Sequence, residues 1–505
     1  MADAKSEKPG KVDADIQVQA VAPVYFPNDR HGDSTASSSQ NSSQNSSKVD
    51  VSTTETSLEL GVKEREYPWS GYKEDPLPEK EDHKIIRNLR HQLFNLYRRL
   101  FSFIFFANMA IFIAFCVYGV NAQRIGTVLV SNLFTSILMR QDYIINAWFI
   151  IFTLPPKSWP LWIRLLCARV YHIGGIHSGC GVSGTVWLIL LCGQATREHV
   201  TTDKVSVATL IMAYIVLALL ISIIALAHPD LRAKYHNSFE MVHRFSGWTA
   251  VGVFWAFFIL LTNDYRPEGE SLARTLRKSP EFWLVVVLTF SIALPWMRLR
   301  KYPVQAEVLS NHALRLHFEY VDPIPGSFSR ISSNPLFEWH SFATIQIPGK
   351  KGYSAIVSNA GDWTKKKIAN PPEKLWIRGV PTFGVLRIVP MFRRIVIVAT
   401  GSGIAPVTPH LLAQKTNVKL LWTSPDVRET FGDKFVDMVL AASPDAVIYN
   451  TRTHGKPDMV KLAYRVYKEY NAEAVAVISN PKLTYKLIYG LTSRGVPAFA
   501  PIFDS

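Results

Sequence analysis

The sequence predicts a membrane α-helical bundle of about six spans, then an antiparallel β-barrel, then a doubly wound parallel α/β domain. Three observations carry this. Six apolar stretches have the length that a bilayer requires, at roughly 100–120, 127–154, 172–193, 205–227, 243–261 and 281–297. After Pro303 the hydrophobic period falls to two, as in His312-Ala-Leu-Arg-Leu-His-Phe-Glu-Tyr320. From residue 393 onward short apolar strands alternate with helical stretches.

The 505 residues leave room for several domains. The boundaries read as a disordered cytosolic tail over 1–80, a transmembrane helical domain over 84–300, a barrel over 303–392 and an α/β domain over 393–505. The first 60 residues are rich in Ser, Asn, Gln, Asp and Lys, and bury too little apolar area to offset their ordering entropy. They contain no apolar h-region, so no cleaved signal peptide is expected. Asn41-Ser-Ser and Asn45-Ser-Ser fit the glycosylation triplet but would lie on the wrong side of the membrane.

In the second span the polar step Arg140-Gln141-Asp142 interrupts an otherwise apolar run. Arg87, Arg90, Arg98, Arg99, Lys157, Arg164, Arg169, Arg232, Lys234, Arg244, Arg298, Arg300 and Lys301 all gather on one side of a six-span chain, which makes that side cytosolic. Arg266, Arg274, Arg277 and Lys278 dissent. Both termini are therefore expected in the cytosol, with the chain in the plasma membrane or an endomembrane. The net charge of +15 sits at span ends, where anionic lipid is the natural partner. No zinc spacing or RNA-binding aromatic motif argues for nucleic acid. The four cysteines form no C-x-x-C pair, which argues against a disulfide framework or structural metal.

The densest motif is Ile395-Val-Ile-Val-Ala-Thr-Gly-Ser-Gly-Ile-Ala-Pro406. A buried strand that ends in Gly401-Ser402-Gly403, with Pro406 behind it, lets a phosphate approach the backbone and meet a positive helix end. A nicotinamide nucleotide is the expected partner. Thr423 follows the second sheet strand with Arg428 nearby, and no carboxylate stands at the strand end to grip a ribose 2′-hydroxyl, which favours NADPH over NADH. In the barrel, His340-Ser-Phe342-Ala-Thr344 supplies a ring for an isoalloxazine and a hydroxyl beside it, although an ordinary strand with Phe342 inward reads the same way. Gly361-Asp-Trp363-Thr364 opens a short helix that suits a pyrophosphate, or is simply a capped surface helix.

His340-x-Phe342, Gly361-Asp-Trp363-Thr364 and Gly401-x-Gly403-Ile-x-Pro406, in that order behind six spans, resemble the ferric reductase/NADPH oxidase superfamily over residues 100–505. The terminal run Gly495 to Ser505 and Arg452-x-x-Gly455-Lys-Pro-Asp458 resemble most the fungal tmpA-like membrane flavoproteins, a family linked to asexual development (conidiation). A similar reductase region occurs as a tail on some fungal adenylate-forming multidomain proteins. The resemblance implies FAD in the barrel, NAD(P)H in the α/β domain, and a C-terminal aromatic, Phe503 or Phe499, over the flavin. It departs from the family at Ser341 and Ala343, where Ala343 has no hydroxyl for the flavin N5 and Thr344 is the substitute. It departs again at Ser479-Asn480-Pro481, where the family carries a Cys-Gly-Pro turn.

Family members with two haems use paired histidines 13 or 14 residues apart on two helices. Here Leu190 and Leu191 follow His177 at that spacing, and Ala256 and Phe257 follow His243. The outer pair is absent, and the residues admit one haem b between His177 and His243, both otherwise plain interfacial histidines. The expected function is a membrane-bound FAD-dependent NAD(P)H oxidoreductase serving an unknown cytosolic or membrane electron acceptor, with a role in developmental signalling. The alternatives are a transmembrane ferric reductase or superoxide-forming oxidase, and a non-catalytic nucleotide or redox sensor.

Overall fold

The computed structural model describes residues 67–502. The expected tail over 1–66 and the residue Phe503 lie outside them. Residues 67–80, expected to continue the disordered tail, instead lie on the C-terminal domain. Tyr72 is 2% exposed. The Trp69 indole donates to Ile448 O at 3.1 Å, Arg465 to Ser70 O at 2.7 Å and Arg494 to Pro78 O at 2.6 Å. Aromatic residues in this segment bury area that the Ser/Asn-rich stretch before it lacks.

A short α1 (Lys84–Asn88) leads into α2 (Leu96–Tyr118), whose first turn is capped by Asn95 accepting from the Arg98 amide at 3.0 Å. Then come α3 (Ala122–Leu138), α4 (Asp142–Phe152), α5 (Leu161–Cys167), α6 (Gly174–Thr202), α7 (Val207–Ala227), α8 (Pro229–Lys234), α9 (His236–Asp264), α10 (Leu272–Lys278) and α11 (Pro280–Met297). Among the described residues, five helical stretches are long and apolar enough to cross a membrane: α2, the run Leu161–Thr202, α7, α9 and α11.

The expected second span, 127–154, is two helices. α3 ends at Leu138, and Gln141 caps α4, its side-chain oxygen accepting from the Tyr143 and Ile144 amides at 2.6 and 3.1 Å. The second helix turns to the sheets. Asn146 pairs with β7 (Lys374–Phe383) through Pro381 O at 3.0 Å and the Phe383 amide at 2.9 Å. Asp142 receives Arg330 at 2.6 Å. Within the bundle Trp187, Leu191, Phe254, Phe257 and Leu261 form a packed apolar core.

The antiparallel region comprises β1 (Arg300–Pro303), β2 (Gln305–Val308), β3 (Ala313–Phe318), β4 (Ser327–Ser332), β5 (His340–Ala343), β6 (Tyr353–Ser358), α12 (Asp362–Ala369) and β7. It is two open sheets, ordered β1-β7-β4-β5 and β2-β3-β6, rather than the expected closed barrel. β5 has only four residues, so beyond it the sheets meet through a single isolated bridge, Ile345 to Ser354. Leu314, Leu316, Phe318, Ile331, Val357 and Ile377 fill the space between.

A 3₁₀ linker, Val385–Met391, leads to the parallel sheet. Its elements are β8 (Arg394–Thr400), α13 (Thr408–Ala413), β9 (Asn417–Ser424), α14 (Val427–Phe431), α15 (Asp433–Ala442), β10 (Val447–Asn450), α16 (Met459–Glu469), β11 (Ala474–Ile478), α17 (Pro481–Thr492) and β12 (Ala498–Phe499). The strand order is β10-β9-β8-β11-β12, all parallel, as the alternating pattern predicts. Ile395 to Ala399 are completely buried because both faces of β8 are covered.

Candidate functional site

From β8 the chain winds one way to β9 and β10, then returns to the other side as β11. The carboxyl ends of β8 and β11 therefore flank a topological switch point, where open α/β sheets bind ligands. The glycine turn stands there, as a 3₁₀ turn over Gly401–Ile404. Its two glycines are required for different reasons. Gly401 has φ +50° with open space beside it, so its side faces outward. A Cβ on Gly403 would lie 2.5 Å from Ile478 O, so only glycine lets the turn pack on β11. Ser402 is exposed and Pro406 half-buried. The Trp422 indole donates to Gly401 O at 3.0 Å and pins the turn. Thr400 and Ser479, at the ends of β8 and β11, join hydroxyl to hydroxyl at 2.7 Å.

The far side of the nucleotide groove is less open than its residue types suggest. Thr423 is buried, 4% exposed, at the end of β9. Arg428 is engaged by Asp433 and Asp437, each at 2.8 Å. An acidic residue does follow the strand, contrary to expectation: Asp426, two residues on, caps α14 by accepting from the Arg428 and Glu429 amides. Its carboxylate is spent locally, as Asp commonly is at an N-cap.

In the antiparallel region His340, Phe342 and Trp363 come together. The His340 and Trp363 rings stack at 4.1 Å and 25°, and Phe342 lies 5.9 Å from Trp363 at 29°. The Trp363 indole donates to Glu338 at 2.9 Å. Thr364 accepts from the Ala360 and Gly361 amides, both at 3.0 Å, and so shapes the start of α12. A half-exposed aromatic platform beside a helix N-terminus fits a planar ring carrying a pyrophosphate, as FAD does. Thr344 does not join it. It is 1% exposed and lies just past the end of β5, where its hydroxyl bonds Ser327 Oγ at 2.8 Å and Ser327 O at 3.1 Å. Phe499, the other candidate cover, is buried against Phe392 and Tyr171. Sequence alone does not reveal Arg378, whose guanidinium lies between Trp296 and Trp339 at 4.8 and 4.6 Å. No motif marks it.

His177 and His243 are brought together, their ring centroids 6.5 Å apart. His177 Nδ1 lies 2.9 Å from Ser136 O, a bond that places the proton on Nδ1 and leaves the Nε2 lone pair free. Two imidazoles on one iron, with metal–nitrogen bonds of about 2 Å, need a comparable separation, so the pair fits a single haem. Among the described residues there is no group of three or more metal-ligating side chains.

This fold and glycine turn define a doubly wound α/β domain joined to antiparallel sheets and an apolar helical bundle. Residues 385–505 match the family model described as Adenylate-forming reductase 03009, C-terminal domain. Two curated relatives from Coprinopsis cinerea (strain Okayama-7) extend the likeness. Adenylate-forming reductase 03009 is 55% identical over 473 residues, 94% of this chain and 46% of its own length. Adenylate-forming reductase 06235 is 56% identical over 457 residues, 90% of this chain and 44% of its own. The chain thus spans about half the length of these relatives. Among solved structures, a ferredoxin NADP+ reductase from Neisseria gonorrhoeae with bound FAD and NADP aligns with 40% of this chain and 98% of its own. Its identity is 17% and its TM-score 0.35. The FAD/NAD-binding domain of nitric oxide dioxygenase from Vibrio cholerae aligns with 40% and 99%, at 14% identity and a TM-score of 0.30.

The relatives' names overturn the function expected from the sequence. The expectation of a membrane-bound FAD-dependent NAD(P)H oxidoreductase of developmental signalling, with its ferric reductase, oxidase and sensor alternatives, does not stand against relatives that are named adenylate-forming reductases. The expected likeness to the tail of adenylate-forming multidomain proteins is the part of the resemblance that the comparisons support.

Proposed function

We propose that this chain is the reductase portion of an adenylate-forming-reductase-type protein, drawing reducing equivalents from a nicotinamide nucleotide at the Gly401 turn. The observation that carries this reading is the turn itself. It stands at the switch point of a parallel sheet, pinned by Trp422 and bordered by the Thr400–Ser479 pair. It also lies within the segment that matches the reductase family model. The amides of Ser402 and Gly403 would hold the pyrophosphate, and Thr400 with Ser479 would border the nicotinamide. NADPH is the favoured nucleotide, although Arg428 must leave Asp433 and Asp437 to reach a 2′-phosphate.

FAD would rest on the His340–Trp363 platform, where it would supply an acceptor for one hydride, that is, two electrons. Adenylation of a carboxylate yields an electrophilic acyl carbonyl, and such an acyl group is the class of oxidised substrate proposed here. Placement in a membrane is proposed for the helical region alone, on the length and apolar surface of its five long helices.

A second reading is favoured by the His177–His243 geometry: one haem b between α6 and α9. One haem per chain by pyridine haemochrome, lost in His243→Ala, is the expected result; no haem in protein purified from haem-replete cells removes this reading.

The main test uses the purified full chain. Calorimetry should show NADP+ binding, and NADPH should be oxidised by an artificial dye acceptor faster than NADH. A folded protein that neither binds NADP+ nor oxidises NADPH would overturn the proposal.

A further inference from the structure

Below the seam between the antiparallel and parallel sheets, a small cavity is lined by Arg387, His410, Lys415 and Thr416, with Ile324 and Pro325 at its rim. About 30 Å³ is open to the centre of a water-sized sphere, which exceeds the room one water needs. Three of the polar lining groups keep buried atoms without partners: Arg387 Nε, His410 Nε2 and Thr416 Oγ1. His410 is 5% exposed and Thr416 7%. Native interiors rarely leave one such atom unpaired, and the three side chains that carry these atoms line one cavity. No carboxylate lines the cavity, and two of the four polar side chains, Arg387 and Lys415, are basic.

We propose that this cavity is a binding site for a single tetrahedral oxyanion, free phosphate or the end of a phosphate monoester, held by Arg387, His410, Thr416 and Lys415. Arg387 Nε–H, the Thr416 hydroxyl and the Lys415 ammonium donate, and His410 donates from Nε2. Burial and the Arg387 charge push His410 down to about 3, so the imidazole is neutral without the ligand. A bound anion offsets the Arg387 charge beside it. The site lies apart from the glycine turn, towards Asn417 at the amino end of β9, whereas the turn is at the carboxyl end of β8. Arg387 belongs to the 3₁₀ linker between the sheets and His410 to α13, so the ligand ties the linker to the helix that follows the turn.

The test titrates the full chain with inorganic phosphate, and separately with glycerol phosphate, by calorimetry at constant ionic strength with chloride as the control. Phosphate should bind the wild type, while Arg387→Met and Thr416→Val weaken it about tenfold or more, the loss expected for a charge-assisted hydrogen bond. Lys415→Met replaces an exposed side chain and should weaken it too, which keeps the test open if a core variant fails to fold. Equal binding of both probes assigns the site to a monoester end, and binding of inorganic phosphate alone assigns it to free phosphate. Absence of binding by either probe, or affinity unchanged in the folded variants, overturns the proposal and leaves the cavity to water.

Discussion

Thr400 and Ser479 meet hydroxyl to hydroxyl at 2.7 Å, one at the end of β8 and the other at the end of β11. The two strands pair in parallel up to Ala399 and Ile478, so this bond closes the ladder at the point where a ligand would enter. A serine thus links the strand ends at the turn where resemblance led one to expect a cysteine. Removing either hydroxyl, by Thr400→Val or Ser479→Ala, forfeits about 1 kcal/mol of hydrogen bonding. If the pair borders the nicotinamide, the KM for NADPH rises about fivefold with kcat nearly unchanged. Steady-state kinetics decides it: an unchanged KM in both variants separates the pair from the nucleotide.

The two glycines of the turn should respond differently to alanine. At Gly401 the added methyl meets open space, and the φ of +50° costs about 1–2 kcal/mol. At Gly403 the methyl meets the Ile478 carbonyl at 2.5 Å, and β8 and β11 must part. Thermal unfolding should therefore fall further in Gly403→Ala than in Gly401→Ala. The reverse order would show that the turn does not pack on β11.

Trp363 is expected to carry most of the flavin platform, because its ring is shared with His340 and Phe342. An aromatic stack contributes about 0.5–1.5 kcal/mol beyond burial, so Trp363→Ala should weaken FAD retention about fivefold and Trp363→Phe much less. Thr344→Val should leave retention unchanged while lowering stability, since its hydroxyl belongs to Ser327. Flavin fluorescence released on dilution measures both. Loss of FAD in the threonine variant with none in Trp363→Ala would reverse the assignment.

The parallel sheet was legible because buried parallel strands write themselves as unbroken apolar runs, such as Ile395 to Ala399, and glycines mark the turn. What escaped was set by single polar side chains acting at a distance. Gln141 looks like an interruption of one span, yet its side chain caps the start of a separate helix. Thr344 shares the parity of His340 and Phe342, yet β5 ends at Ala343 and the Thr344 hydroxyl turns to Ser327, which no alternating pattern shows. Tyr72 and Trp69 follow a polar tail with no periodicity of their own, and only their contacts with Ile448 and the C-terminal domain give them a place. Arg378 between two tryptophans leaves no local pattern at all, because Trp296, Trp339 and Arg378 are far apart in the chain.

The link between the helical region and the parallel sheet should be acid-sensitive. Arg164, its side chain 3% exposed, grips Glu473 with two bonds of 2.8 Å and also donates to Met391 O at 2.9 Å. Burial alone would push Glu473 up, but the bonds from Arg164 and from the Arg393 amide outweigh it and hold the carboxyl below its ordinary 4.5. A carboxyl lowered by folding contributes stability that is complete above its unfolded value and is lost as pH falls through the folded one. The wild type should therefore lose this contribution only below about pH 4.5. Arg164→Met leaves a largely buried carboxylate without its cation and should cost about 3–5 kcal/mol at neutral pH. The difference between variant and wild type should then shrink in acid, as the carboxylate is neutralised in both. Thermal unfolding from pH 7 down to about pH 4 measures it; a gap that stays constant across that range would show that the pair contributes packing rather than charge.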